Sequence, residues 1–176
     1  MRVAVTGATG FLGRFIVNHL LEAGHTCRCW FRPSSDRGGF VSSARDIEWF
    51  AGELNDPGAT DALVRGVDAV VHCALHGPWA GPRGADPREN PQAAAGHLLA
   101  VMEKNLCGSL RLMEAARRSK AARFVFISTC AVHEVILDDR RLDEAHPLWP
   151  RGHYGAHKSA IEKFVHSYGL GEGWAI

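Results

Sequence analysis

The segment Thr6-Gly7-Ala8-Thr9-Gly10-Phe11-Leu12-Gly13 constrains this chain more than any other. Its glycines are spaced G-x-x-G-x-x-G and stand directly between a strand-like run, Arg2-Val3-Ala4-Val5-Thr6, and a helical pattern. In that pattern Leu12, Phe15, Ile16, Leu20 and Leu21 recur at helical spacing before Gly24 stops the helix. Strand, glycine turn and helix in this order predict a βα unit whose free backbone N–H groups face an anion. One glycine makes the tight turn, one admits a pyrophosphate, and one lets the helix pack closely on the sheet. Gly7, Thr9, Gly10, Phe11, Leu12 and Gly13 are therefore the first candidate residues for binding a dinucleotide cofactor.

The alternation continues along the chain. Residues 26–31, 47–50, 68–73 and 123–128 read as strands, and 56–65, 97–118 and 154–168 as helices. In the longest helix, Leu99, Met102, Leu106, Leu110 and Met113 share one face. Strands that alternate with helices of these lengths need crossovers, which predicts an α/β fold: a doubly wound parallel sheet of the Rossmann type. Two stretches interrupt the rhythm, 77–96 and 134–152. Both exceed the usual connection of about 4 to 6 residues and read as substrate-facing or mobile loops.

Bulk properties narrow the function classes. A chain of 176 residues, 46% hydrophobic, can bury one sizeable core and is expected to form one domain over residues 1–176. A net charge of +1 creates no general field for nucleic acid or an anionic membrane, so an anion has to be held locally. Cysteines 27, 29, 73, 107 and 130 are odd in number and lack C-x-x-C spacing. Four of them fall in apolar stretches that read as strands or a helix core, which suits reduced, buried thiols. No secretory leader or membrane span is legible, and a soluble, cytoplasmic protein is the expectation.

The end of the second strand carries Arg32-Pro33-Ser34-Ser35 where an NAD-binding chain would place a carboxylate. Arg32 and the serines can hold a 2′-phosphate, so NADP is favoured, while Asp36 keeps NAD in play. Asp56 is expected to cap the short helix and to lie near the adenine. Further on, Tyr154 and Lys158 fall one helical turn apart on one face, where an ammonium favours the phenolate and makes a general acid/base. Ser128 and Thr129 end the preceding strand at the edge where parallel sheets present ligand contacts.

Together these motifs resemble the extended branch of the short-chain dehydrogenase/reductase superfamily, the NAD-dependent epimerase/dehydratase family. The resemblance rests on residues 6–13, 52–56, 68–74 and 126–129, on Asn105 with Gly108, and on Tyr154 with Lys158. It implies that Tyr154 exchanges a proton with a substrate carbonyl or alcohol, and that Lys158 assists it while bonding the nicotinamide ribose. It further implies that Thr129 orients the substrate oxygen and that Asn105 supports the site and a proton relay. Leu54, Cys73, Ala74 and Leu75 are then cofactor contacts beside Asp56. A homodimer formed through helices 97–118 and 154–168 is implied as well.

Departures from the family pattern qualify this. His133-Glu134 stands where relatives carry Tyr-Gly, and Cys130-Ala131 replaces the Asp-Glu pair of sugar-nucleotide dehydratases, which argues against dehydration. His133 reads as a surface residue. His72 and Cys73 point to opposite faces of a strand, so no metal site is expected. The family continues past residues 173–176 into a sixth strand and a substrate-selecting lobe, and this chain is expected to be a truncated form lacking that lobe. The leading function is hydride transfer between a nicotinamide cofactor and a small-molecule carbonyl or secondary alcohol. The alternatives are a nucleotide-sugar epimerase with retained NAD and a cofactor-binding module without turnover.

Overall fold

The computed structural model describes residues 1–41, 45–77, 91–136 and 141–176, with only the backbone of 91–96. Within the two long segments, 78–90 and 137–140 lie outside the described residues. Strands β1 (Arg2–Thr6), β2 (Thr26–Phe31), β3 (Ile47–Ala51), β4 (Ala69–His72) and β5 (Arg123–Phe126) form one sheet in the order β3-β2-β1-β4-β5. Every pairing is parallel; Val5, for example, stands opposite Cys29 on one side and Val71 on the other. All strands therefore end at one edge, and β1 lies at the centre, where the chain reverses its winding direction.

Side chains alternate across the sheet and feed two cores. Val3, Val5, Cys27 and Cys29 pack under Val17 of α1 (Phe11–Glu22). Ala4, Trp30, Val70 and Phe124 pack on the other face. They meet α2 (Pro57–Val64) through Leu63, α4 (Gly108–Arg118) through Leu112 and Met113, and α5 (His153–His166) through Ile161. The sheet is thus covered on both faces, as parallel sheets require. Outside β5, Ala175 forms a parallel bridge with Arg123 and accepts from the Phe124 N–H at 2.9 Å. No helix among the described residues is long and apolar enough to cross a membrane.

The long helix differs from its sequence reading. It begins earlier, as α3 (Pro91–Met102), and passes through a π-helical turn (Glu103–Cys107) into α4. The wider turn shifts which side chains face inward. Val101, Asn105, Gly108, Ser109, Leu112 and Met113 are buried, while Leu99 is 62% exposed and Met102, Leu106 and Leu110 are only half-buried. Gly108 explains the small inward face, because a Cβ there would stand 2.7 Å from the Leu54 carbonyl oxygen, so the helix backbone packs directly on the β3–α2 connection. Cys107 is exposed rather than in the helix core, and Cys130 is exposed too; only Cys27 and Cys29 are buried. β4 and β5 are shorter than read, the final helix begins one residue earlier, and a 3₁₀ turn (Cys130–His133) follows β5.

Candidate active site

The glycine turn leaves β1 at the sheet's carboxyl edge. Gly7 takes φ +70°, a left-handed conformation open to glycine, and its carbonyl accepts from Gly10 N–H at 2.9 Å. A Cβ at Gly7 would lie 2.8 Å from the Ala74 nitrogen, and one at Gly13 would lie 2.1 Å from the Gly7 carbonyl oxygen. The turn is therefore pressed against the end of β4 on one side and against the start of α1 on the other. No side chain caps α1 and no acidic residue occupies its first turn, so the positive end of the helix dipole stands unopposed at the sheet edge.

Beside this turn opens a cavity of about 430 Å³. The sequence-predicted residues Gly7, Thr9, Gly10, Arg32, Leu54, Cys73, Ala74 and Leu75 all line it, together with Ser34, Ser35 and Asp36. Other predicted contacts stand away from its wall. Phe11 is 85% exposed, its ring stacked edge-on against Phe15 at 5.3 Å, and Leu12 is exposed beside it. Gly13 serves packing, as its contact with Gly7 shows. Asp56 caps α2, its carboxylate accepting from Ala59 N–H at 3.0 Å.

Sequence reading overlooked Arg14, which directly follows the third glycine and lines the same cavity. Its Nε donates to the Thr9 carbonyl at 3.0 Å, and its Nη2 donates to the Asp36 carbonyl at 2.8 Å and to the Asp36 carboxylate at 3.1 Å. One guanidinium thereby ties the phosphate turn to the loop after β2. The Gly38 N–H and Arg14 together hold the Asp36 carboxyl below its usual range. Arg32 N–H donates to Ser35 Oγ at 3.0 Å, closing that loop on itself.

Of the predicted catalytic residues, Thr129, Tyr154 and Lys158 stand on or beside the end of β5. Lys158 is 4% exposed; its Nζ donates to the Ile127 carbonyl at 2.6 Å and stands 4.5 Å from the Phe126 ring centroid. Burial pushes the ammonium down to about 8, against the opposing influence of Cys73 and Glu162. Tyr154, half-buried, stands one turn earlier on α5, its ring 5.7 Å from that of His157. Thr129 caps the 3₁₀ turn, its hydroxyl accepting from Ala131 N–H at 3.3 Å. A Cβ on Gly155 would lie 2.4 Å from the Ala131 carbonyl oxygen, so the first turn of α5 rests against the backbone that follows Thr129.

The π-helical turn holds Asn105, buried to 2% exposure, with its side-chain amide spent on one residue. Oδ1 accepts from His76 N–H at 2.7 Å, and Nδ2 donates to the His76 carbonyl at 3.0 Å. Glu134 was read only as a departure from a family pattern. Its carboxylate accepts from the N–H groups of Arg151 and, at 2.9 Å, Gly152, and so holds the chain where α5 begins. His133 is half-buried rather than on the surface, its ring edge-on to His146 at 5.4 Å.

The family model described as "NAD dependent epimerase/dehydratase family" matches residues 3–175. A putative dihydroflavonol 4-reductase of Synechocystis is 28% identical over 97% of this chain and 42% of its own length. A Thermus thermophilus UDP-glucose 4-epimerase solved in complex with NAD is 28% identical with a TM-score of 0.76, over 99% of this chain and 52% of that one. A short-chain dehydrogenase/reductase superfamily protein from Agrobacterium tumefaciens with bound NAD is 28% identical with a TM-score of 0.74, over 96% and 45%. The chain spans about half the length of the curated relatives it matches.

Proposed function

The chain belongs to the NAD-dependent epimerase/dehydratase family, and from that membership we propose that it takes part in hydride transfer between NADP or NAD and a small-molecule carbonyl or secondary alcohol. The observation that carries this reading is the 430 Å³ cavity that joins the glycine turn, the Arg32 loop and the end of β4. Its lining suits a dinucleotide. Gly7 and Gly10 line it without side chains, and the open end of α1 supplies a positive field for a pyrophosphate. Arg32, Ser34 and Ser35 suit a 2′-phosphate, which favours NADP. Leu54, Cys73, Ala74 and Leu75 would wall the adenosine and pyrophosphate.

When bound, the nicotinamide gives or takes the hydride. Tyr154 would deliver the proton to a carbonyl oxygen in reduction, or remove it from an alcohol in oxidation. Lys158 would place a cation one turn from that hydroxyl and reach the nicotinamide ribose, while Thr129 would orient the substrate oxygen. Asn105 would support them by fixing the His76 backbone. Self-association through the faces of α3, α4 and α5 is part of the same reading, supported by exposed Leu99 and Phe164.

A second reading, nucleotide-sugar epimerisation with retained NAD, draws on the likeness to the Thermus thermophilus epimerase. Titration with NADPH and NADH, followed by Trp30 emission at the cavity wall, tests both readings. Exchangeable NADPH with carbonyl reduction that Tyr154→Phe abolishes supports the reductase. Nucleotide that co-purifies, with no net consumption during turnover, supports the epimerase. A chain that binds neither nucleotide would rule out both.

A further inference from the structure

Behind the cavity wall, four buried polar side chains link β1, β4 and the helical turn that carries Asn105. Thr6, His72, Asn105 and Ser109 are each no more than 2% exposed. Ala74 N–H donates to Thr6 Oγ1 at 3.1 Å, and Thr6 Oγ1 lies 2.7 Å from His72 Nδ1. His72 Nε2 lies 2.7 Å from Ser109 Oγ, whose hydroxyl donates to the Asn105 carbonyl. The Asn105 side chain then grips the N–H and carbonyl of His76.

Proton counting gives this chain one direction. Ser109 has a single hydroxyl proton, directed at the Asn105 carbonyl, so its oxygen must accept from His72 Nε2–H. Ala74 N–H fills one lone pair of the Thr6 oxygen, and His72 Nδ1, 2.7 Å away, is the acceptor for the Thr6 proton. A ring protonated at Nδ1 instead would strand the Thr6 proton and set a lone pair on Nε2 against the Ser109 oxygen. In this enclosed place an unmatched polar group is strongly unfavourable.

We propose that His72 is a positioning residue: held as the neutral Nε2–H tautomer, it couples the hydrogen bond that fixes Ala74 to the clamp that fixes His76. The backbone between them, which walls the cofactor cavity, is thereby set as one unit. This consequence rests on the cavity being the cofactor site; the hydrogen-bond network does not. Burial, with Lys158 and His157 nearby, pushes the imidazole down to about 3, so it stays neutral at ordinary pH. The rings of Phe124 and Phe126, 6.2 and 5.7 Å from it, pack apolar surface around the relay.

The experiment combines long-range ¹H–¹⁵N spectra of the His72 ring with amide exchange at Ala74 and His76 in the wild type, Thr6→Val, Ser109→Ala and the double variant. The wild type should show a protonated Nε2 and an unprotonated Nδ1. Each single substitution should speed exchange at both amides, by about 2- to 10-fold for one lost hydrogen bond, and the double variant should fall short of the product of the two. An Nδ1–H tautomer, or a Ser109→Ala chain in which Ala74 exchanges at the wild-type rate, would overturn the proposal. NADPH affinity of the same variants separates it from the cofactor reading. Affinity that falls as exchange rises supports both, and unchanged affinity with faster exchange refutes the positioning role. If the wild type binds no nucleotide, the cavity assignment fails while the tautomer and exchange rates still decide the network.

Discussion

Lys158 donates from Nζ to the carbonyl of Ile127 at 2.6 Å, joining the helix of the candidate acid/base to the end of β5. Because burial holds this ammonium near 8 in the fold, against an ordinary 10.5, the folded chain binds fewer protons than the unfolded chain between those two values. Stability contributed by this group therefore rises with pH across that window, and its burial penalty is complete below pH 8. Thermal unfolding of the wild type and Lys158→Met at pH 7 and pH 10 checks the sign. The wild type should gain on the variant as pH rises, and a constant difference would contradict it.

Gly13 and Gly10 should fail differently. A methyl at Gly13 would meet the Gly7 carbonyl oxygen at 2.1 Å, whereas one at Gly10 would stand 3.2 Å from it. Gly13→Ala is expected to lower stability by about 1 to 3 kcal/mol, an overpacking cost, with a visible fall in Tm. Gly10→Ala should stay folded near the wild-type Tm and lose nucleotide affinity, because the added methyl crowds the turn where the pyrophosphate would sit.

Arg32 and Arg14 line one cavity but hold different things. Arg32→Ala should weaken NADPH binding by about 10-fold or more while sparing NADH, since it removes a charge-assisted bond available only to the 2′-phosphate. Arg14→Met should weaken both nucleotides alike, because it releases the Thr9 carbonyl and the Asp36 loop together. The ratio of the two Kd values for each variant distinguishes these effects.

Glu134 accepts the backbone N–H groups of Arg151 and Gly152, where α5 has no cap from its own side chains. Its replacement by alanine should cost about 1 kcal/mol, as loss of a helix cap does, and should lower turnover without changing NADPH affinity. Thermal unfolding and steady-state rates at saturating nucleotide measure the two halves of this expectation.

The glycine turn, β1 and β2 were legible in sequence because their signals are local: a strand run, three glycines and a periodic helix within about thirty residues. The Arg14 tie was hidden because its partner Asp36 lies 22 residues away on a loop whose return path no local pattern dictates. The long helix misled for a related reason. The residues from Leu99 to Met113 share one face by their spacing, yet contact with the Leu54 backbone demands a glycine at Gly108 and turns Asn105 and Ser109 inward. Tyr154 and Lys158 were singled out by their helical spacing and by the strand that precedes them. The bond to Ile127 and the packing of Gly155 on Ala131 belong to tertiary structure and left no pattern to read.

That last contact has a consequence for how such a chain could diversify. Where two stretches of main chain touch with no room for a side chain between them, their spacing is governed by atoms common to every amino acid. The phenol is thus mounted on a joint indifferent to most surrounding residue choices. Selection acting on the loop tips around it could retune what enters while leaving the Tyr154 hydroxyl at the same address.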